Sequence, residues 1–151
     1  MNIVLRVVFN NLLSLFSVCI VGIITWLYFI FTYILSVNAV ADIFMFVGVL
    51  GLNFLLGLLL RTTGKRDLDF MSFMLIIVLT VVFALFSQNS TIDKILRTLH
   101  SPFYFVENFM GSLGAGSPLA LNLCIALFLQ IFMMYLGMHT GLNVWLKRPN
   151  K

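Results

Sequence analysis

Charge is what this sequence has least of. Nine basic and five acidic residues make up 9% of the 151, where a soluble domain carries about a quarter. Histidine occurs twice, as His100 and His139, and so does cysteine, as Cys19 and Cys124. Each cysteine lies inside an apolar run, with no CxxC spacing and no neighbouring His or acidic ligand. They read as small packing residues, and nothing in their placement points to a disulfide or a metal site. Without an HExxH or a cysteine cluster, the sequence predicts no metal, no cofactor and no catalytic residue.

What is abundant is apolar side chain, at 62% of residues and a mean hydropathy of +1.11. A chain this short buries only a limited fraction of its surface in water, so an aqueous core does not accommodate that content. Lipid is the solvent that fits. The length supports one unit, a single membrane domain over 1–151. The net charge of +4 does not point to nucleic acid, because the basic residues sit almost wholly between the apolar runs. There they act as topological anchors facing anionic lipid.

Four runs reach or approach the roughly 20 residues that cross a bilayer as helix. They cover about 12–35, 40–60, 70–87 and 119–142. Continuous apolar sequence, rather than alternation, makes helices the reading and excludes barrel strands. Ala39-Val40-Ala41 has the form of a signal-peptidase site. The uncharged stretch from Val7 to Ala41 nevertheless far exceeds a signal core, and the sequence predicts a retained first span. The fold class expected is all-α integral membrane protein, with four transmembrane helices and one or two short interfacial helices in the long outer loop.

Sidedness follows from the basic residues. Arg6, Arg61, Lys65, Arg66, Lys147, Arg148 and Lys151 fall on one side of a four-span chain, and only Lys94 and Arg97 on the other. The sequence therefore predicts both termini in the cytoplasm or its topological equivalent, in a plasma (inner) membrane or an equivalent organelle membrane. Trp145 suits an interfacial anchor on that side.

The long connection, 88–118, has its own pattern. Ser90 and Asp93 resemble a capping box, and Ile92, Ile95, Leu96 and Leu99 then fall at i, i+3, i+4 and i+7. This spacing predicts an amphipathic helix lying in the outer interface within a segment of about 90–111. Ser101-Pro102 suggests a second helix start. Gly111, Gly114 and Gly116 punctuate the stretch before the last span. That stretch, GSLGAGSP, lacks the Lys-Ser/Thr ending and the preceding strand of a phosphate loop.

No ionisable residue lies near the centre of a span, which argues against a proton-coupled transporter. Neutral polar groups do lie there: Thr25, Asn53, Thr80 and Gln130 are placed at a similar depth by the four-span topology. Their expected role is hydrogen bonding between helices, and the sharper alternative is a polar constriction for a small solute. In the last span Leu123, Leu127, Gln130, Met134, Gly137 and Gly141 share one face. The GxxxG of Gly137 and Gly141 predicts close helix packing. Gly48 and Gly51 offer another close-contact patch.

These features point first to a non-catalytic subunit or assembly partner of a larger membrane complex, with other membrane subunits or copies of itself as partners. A homo-oligomeric channel or small-solute transporter is the alternative. An enzyme working from Ser101, His100, Asp93 and Glu107 in the outer loop is the third reading.

Overall fold

The first helix starts earlier than its hydropathy suggests. In the computed structural model, which describes residues 3–35, 39–60, 62–85, 105–107 and 119–146, α1 runs unbroken over Ile3–Leu35. No proline interrupts it, and its 33 residues extend about 50 Å at 1.5 Å per residue. Arg6, Asn10 and Asn11, expected in a flank, are therefore part of the helix. α2 covers Ala39–Gly57. It then tightens: Leu59 N–H donates to Leu56 O at 3.1 Å and Leu60 N–H to Gly57 O at 3.0 Å, the i−3 bonds that close many helix ends. Gly64, at φ +83°, supplies the left-handed residue that turns the chain between α2 and α3.

The third apolar run departs from expectation. Instead of one helix from about residue 70, the chain forms α3 over Arg66–Met71 and α4 over Met74–Leu85. Ser72 N–H donates to Asp69 O and Phe73 N–H to Phe70 O, so the break is a short stretch of i−3 bonding. Neither glycine nor proline marks it. α4, at 12 residues, extends about 18 Å. The last helix, α5, covers Leu119–Leu146.

Among the described residues every element is helical, and three helices are long and apolar enough to cross a membrane: Ile3–Phe31, Val40–Gly57 and Leu121–Thr140. The third expected span is not among them. The residues of the expected interfacial helix, Ile92, Ile95, Leu96 and Leu99, lie outside the described residues.

Burial is inverted relative to a water-soluble protein. α1 turns Asn10, Ser14, Ser17 and Thr25 inward on one stripe, interleaved with Val18 and Val21. Asn53, Asp69, Ser72, Thr80 and Gln130 are buried on the other helices. Large apolar side chains face outward along every long helix, among them Phe44 at 74% and Leu85 at 76% exposure. In water each such side chain would forgo about 1.5–3 kcal/mol of burial. In hydrocarbon it would forgo nothing, and the polar groups are the ones that need to be inside.

Candidate functional site

The end of the bundle near the N-terminus of α1 is held by α1 side chains that fasten the α3–α4 break. Asn11 Nδ2 donates to Met71 O at 2.8 Å, and Asn11 Oδ1 accepts from Leu75 N–H at 2.9 Å. One amide thus satisfies a carbonyl at the end of α3 and an N–H in the first turn of α4. One turn along, Ser14 Oγ donates to Ser72 O at 3.2 Å, and Asn10 Nδ2 donates to Ser72 Oγ at 3.2 Å. The spacing Asn10, Asn11, Ser14 presents three polar side chains to one partner segment, as neighbours one turn apart do. None of these residues is singled out by the hydropathy of the sequence. The available signal was the Asn-Asn pair followed by Ser14 and Ser17 at helical spacing.

The turn beside it is organised by a buried carboxylate. Asp69, at 2% exposure, accepts from Thr63 N–H at 2.5 Å and from the Thr63 hydroxyl at 2.7 Å. Arg6 Nη1 donates to Thr62 O at 3.2 Å, tying α1 to the same turn. Asp69 reads in the sequence as an interfacial charge; in the fold it is an internal ligand for the turn.

The four polar residues expected at the midplane, Thr25, Asn53, Thr80 and Gln130, lie on four different helices. Tyr28 donates to Asp42 Oδ1 at 2.9 Å, and Val21 and Val49 share a cluster, which sets the antiparallel register of α1 and α2. Counting from Tyr28 and Asp42, Asn53 stands level with Ser17, about 12 Å toward the N-terminal end of α1 from Thr25. By this register Thr25 and Asn53 stand at different levels. Thr25 Oγ1 donates to Val21 O at 2.9 Å, Asn53 Nδ2 to Val49 O at 2.9 Å, and Thr80 Oγ1 to Ile76 O at 2.7 Å. Each of these bonds runs back to the carbonyl four residues earlier on the same helix. Gln130 is fully buried on α5.

Glycine decides where α2 and α5 cross. A Cβ added at Gly57 would lie 2.7 Å from Met134 Cα and 2.8 Å from Met134 C. One added at Gly137 would overlap Phe54 O and lie 3.0 Å from the Gly57 backbone. The two glycines face each other, and the backbones are in contact. Gly141 lies on α5, but its side-chain environment is outside the description. The partner glycine is Gly57, not Gly48 or Gly51: at those two, nothing among the described residues comes within 4 Å of an added Cβ.

At the opposite end, Phe105 is buried against Phe29 and Phe46, with ring centroids 5.6 and 5.3 Å away. It joins the cluster of Val21 and Val49 and brings residues 105–107 of the long connection onto α1 and α2.

Chemically, the arrangement is suited to packing. Among the described residues no group of three His, Cys, Asp or Glu side chains is placed to hold a metal. Cys19 and Cys124 are both free thiols. The His139 ring sits on Tyr135, with centroids 4.2 Å apart, and its Nδ1 is buried with no hydrogen-bond partner among the described residues.

The inverted burial and three apolar helices of spanning length define an all-helical membrane protein. No protein-family model matches the chain, and neither a curated protein nor a solved structure is significantly similar to it.

Proposed function

We propose that this chain is a non-catalytic subunit or assembly partner of a larger membrane complex, crossing the bilayer four times with both termini in the cytoplasm. The observation that carries the reading is the outward surface of α2 at Gly48 and Gly51. These glycines lie one turn apart, open among the described residues, beside the exposed Phe44, Val47 and Leu55. Small residues flanked by bulky ones let a second membrane helix approach closely, and van der Waals packing drives such contacts in lipid. The other glycine contact, Gly57 with Gly137, is already used within the chain.

Two placements support a fourth crossing. Residues 71–75 are fastened to α1 at Asn11 and Ser14, whereas Phe105 rests on Phe29. Those positions on α1 are separated by about 27 Å, close to the hydrocarbon thickness. A fourth crossing between 75 and 105 is the reading that this separation supports. Sidedness is tested with single cysteines in intact cells. A cysteine at Lys94 is expected to label from outside and one at Lys65 to be protected; the opposite pattern would reject the orientation.

The interior supports a packed subunit over a pore within one chain. Thr25, Asn53 and Gln130 are at most 1% exposed, and the Thr25 and Asn53 donors are spent on their own helix carbonyls. The channel alternative draws on Asn53 Oδ1, a buried acceptor with no partner among the described residues. Association and transport decide between them. The parent chain is expected to co-purify in mild detergent with a constant set of proteins. Gly48→Leu and Gly51→Leu are expected to lose that set while keeping the melting temperature of the isolated chain. Conduction by the purified chain alone in liposomes, abolished by Gln130→Leu or Asn53→Leu, would overturn the subunit reading.

A further inference from the structure

Asn53 is fully buried on α2, and only half of its amide is accounted for: Nδ2 donates to Val49 O, while Oδ1 has no hydrogen-bond partner among the described residues. Its surroundings follow from its helix face. Val49, Asn53, Gly57 and Leu60 recur at i, i+4, i+8 and i+11, and all four are buried. Val49 packs with Val21 of α1, Gly57 meets Met134 of α5, and Leu60 shares a cluster with Val18 and Met134. Asn53 lies on that face between these contacts, at the junction of α1, α2 and α5.

The α1 side of this junction is the stripe of small polar side chains. Ser17, level with Asn53 by register, is 1% exposed, and its hydroxyl donates to Leu13 O at 2.8 Å. With its proton committed, Ser17 Oγ still offers lone pairs. Two buried oxygens, on facing helices at the same depth, thus call for a donor.

We propose that this junction binds one internal water molecule, which donates one hydrogen bond to Asn53 Oδ1 and the other to Ser17 Oγ. Buried polar groups that protein partners leave unsatisfied are met in folded proteins by ordered water. A cation fits less well: both oxygens are neutral, and an uncompensated charge at this depth is costly. The site is internal and independent of the outward Gly48–Gly51 surface, so its failure would leave the subunit reading standing.

The test is water-edited magnetic resonance on the full chain, labelled with 15N at asparagine and held in lipid nanodiscs. The Asn53 side-chain NH2 signal is assigned by its loss in Asn53→Leu, or in Asn53→Ser if the leucine variant does not fold. Transfer from water to that signal is expected, with the sign of a long-lived bound water. Ser17→Ala is expected to weaken it roughly twofold, because one of the two anchoring bonds is gone. Absence of transfer in the folded parent would overturn the proposal. So would a shift of the Asn53 signal on replacing potassium with sodium, which would place a cation there.

Discussion

Gly137→Leu is expected to abolish recovery of folded protein from the membrane, and Gly137→Ala to be nearly as damaging. At Gly137 the first side-chain carbon already overlaps Phe54 O and sits 3.0 Å from the Gly57 backbone. The obstacle is backbone, with no rotamer through which to yield. Relief requires α2 and α5 to move apart, which breaks their contact at Met134, a fully buried residue of the inner cluster. Overpacking of a tight interior costs about 1–3 kcal/mol where side chains give way, and the rigid partner puts this case at or above the upper figure. The spacing of Gly137 and Gly141 alone suggests that alanine is mild, since alanine is a common small residue in such motifs. The crossing geometry reverses that expectation. The measurement is the melting temperature and monodisperse yield in mild detergent. A parent-like Gly137→Ala would show that the helices do not touch here. Gly57→Ala is expected to act the same way, because its added Cβ meets Met134.

Asn11 is the second position with a large expected effect. Asn11→Leu leaves Met71 O and Leu75 N–H without their partner, where the parent amide satisfies both. An unsatisfied buried group costs about 1–3 kcal/mol. Met71 O has access to solvent, so most of the loss falls on Leu75 N–H, and the expected destabilisation is about 2 kcal/mol. Asn11→Asp retains the acceptor for Leu75 N–H and adds a negative charge beside the first turn of α4, a favourable location for one. It loses the amide's bonds to Met71 O and Val7 O but keeps the acceptor for Leu75 N–H, and is expected to be the milder change. Amide hydrogen exchange separates this local account from general unfolding. Leu75 N–H is expected to exchange faster in Asn11→Leu and to stay protected in Asn11→Asp. Equal protection in both would mean that α4 is capped without Asn11.

How legible the site was depended on the kind of interaction. The α5 glycines stood out because glycine at that spacing in an apolar helix is a local pattern. Their partner did not: Gly48, Gly51 and Gly57 all lie in the same apolar run, and nothing local says which of them meets Gly137. Asn10 and Asn11 look like the polar flank of a span, and only their partners between Met71 and Leu75 make them part of the packed core. The break between α3 and α4 was illegible for the same reason. No glycine or proline encodes it; its exposed backbone groups are satisfied by side chains about sixty positions away. Thr25 and Asn53 were found by composition but placed at one depth, because a hydropathy profile carries no register.

By itself the sequence determined the solvent and the helical class of the long apolar runs. Apolar content this high, in uninterrupted runs of spanning length, permits only lipid around the chain and helix within it, since every backbone group must find its partner inside the run. Basic residues gathered at the ends of the runs set the expected sidedness. Only the tertiary structure decided which polar groups face inward together, which glycines touch, and where the third run breaks. Those outcomes depend on rotation and register between helices. Lipid is nearly indifferent to which apolar face it meets, so the choice falls to a few hydrogen bonds and close backbone contacts between residues far apart in the chain.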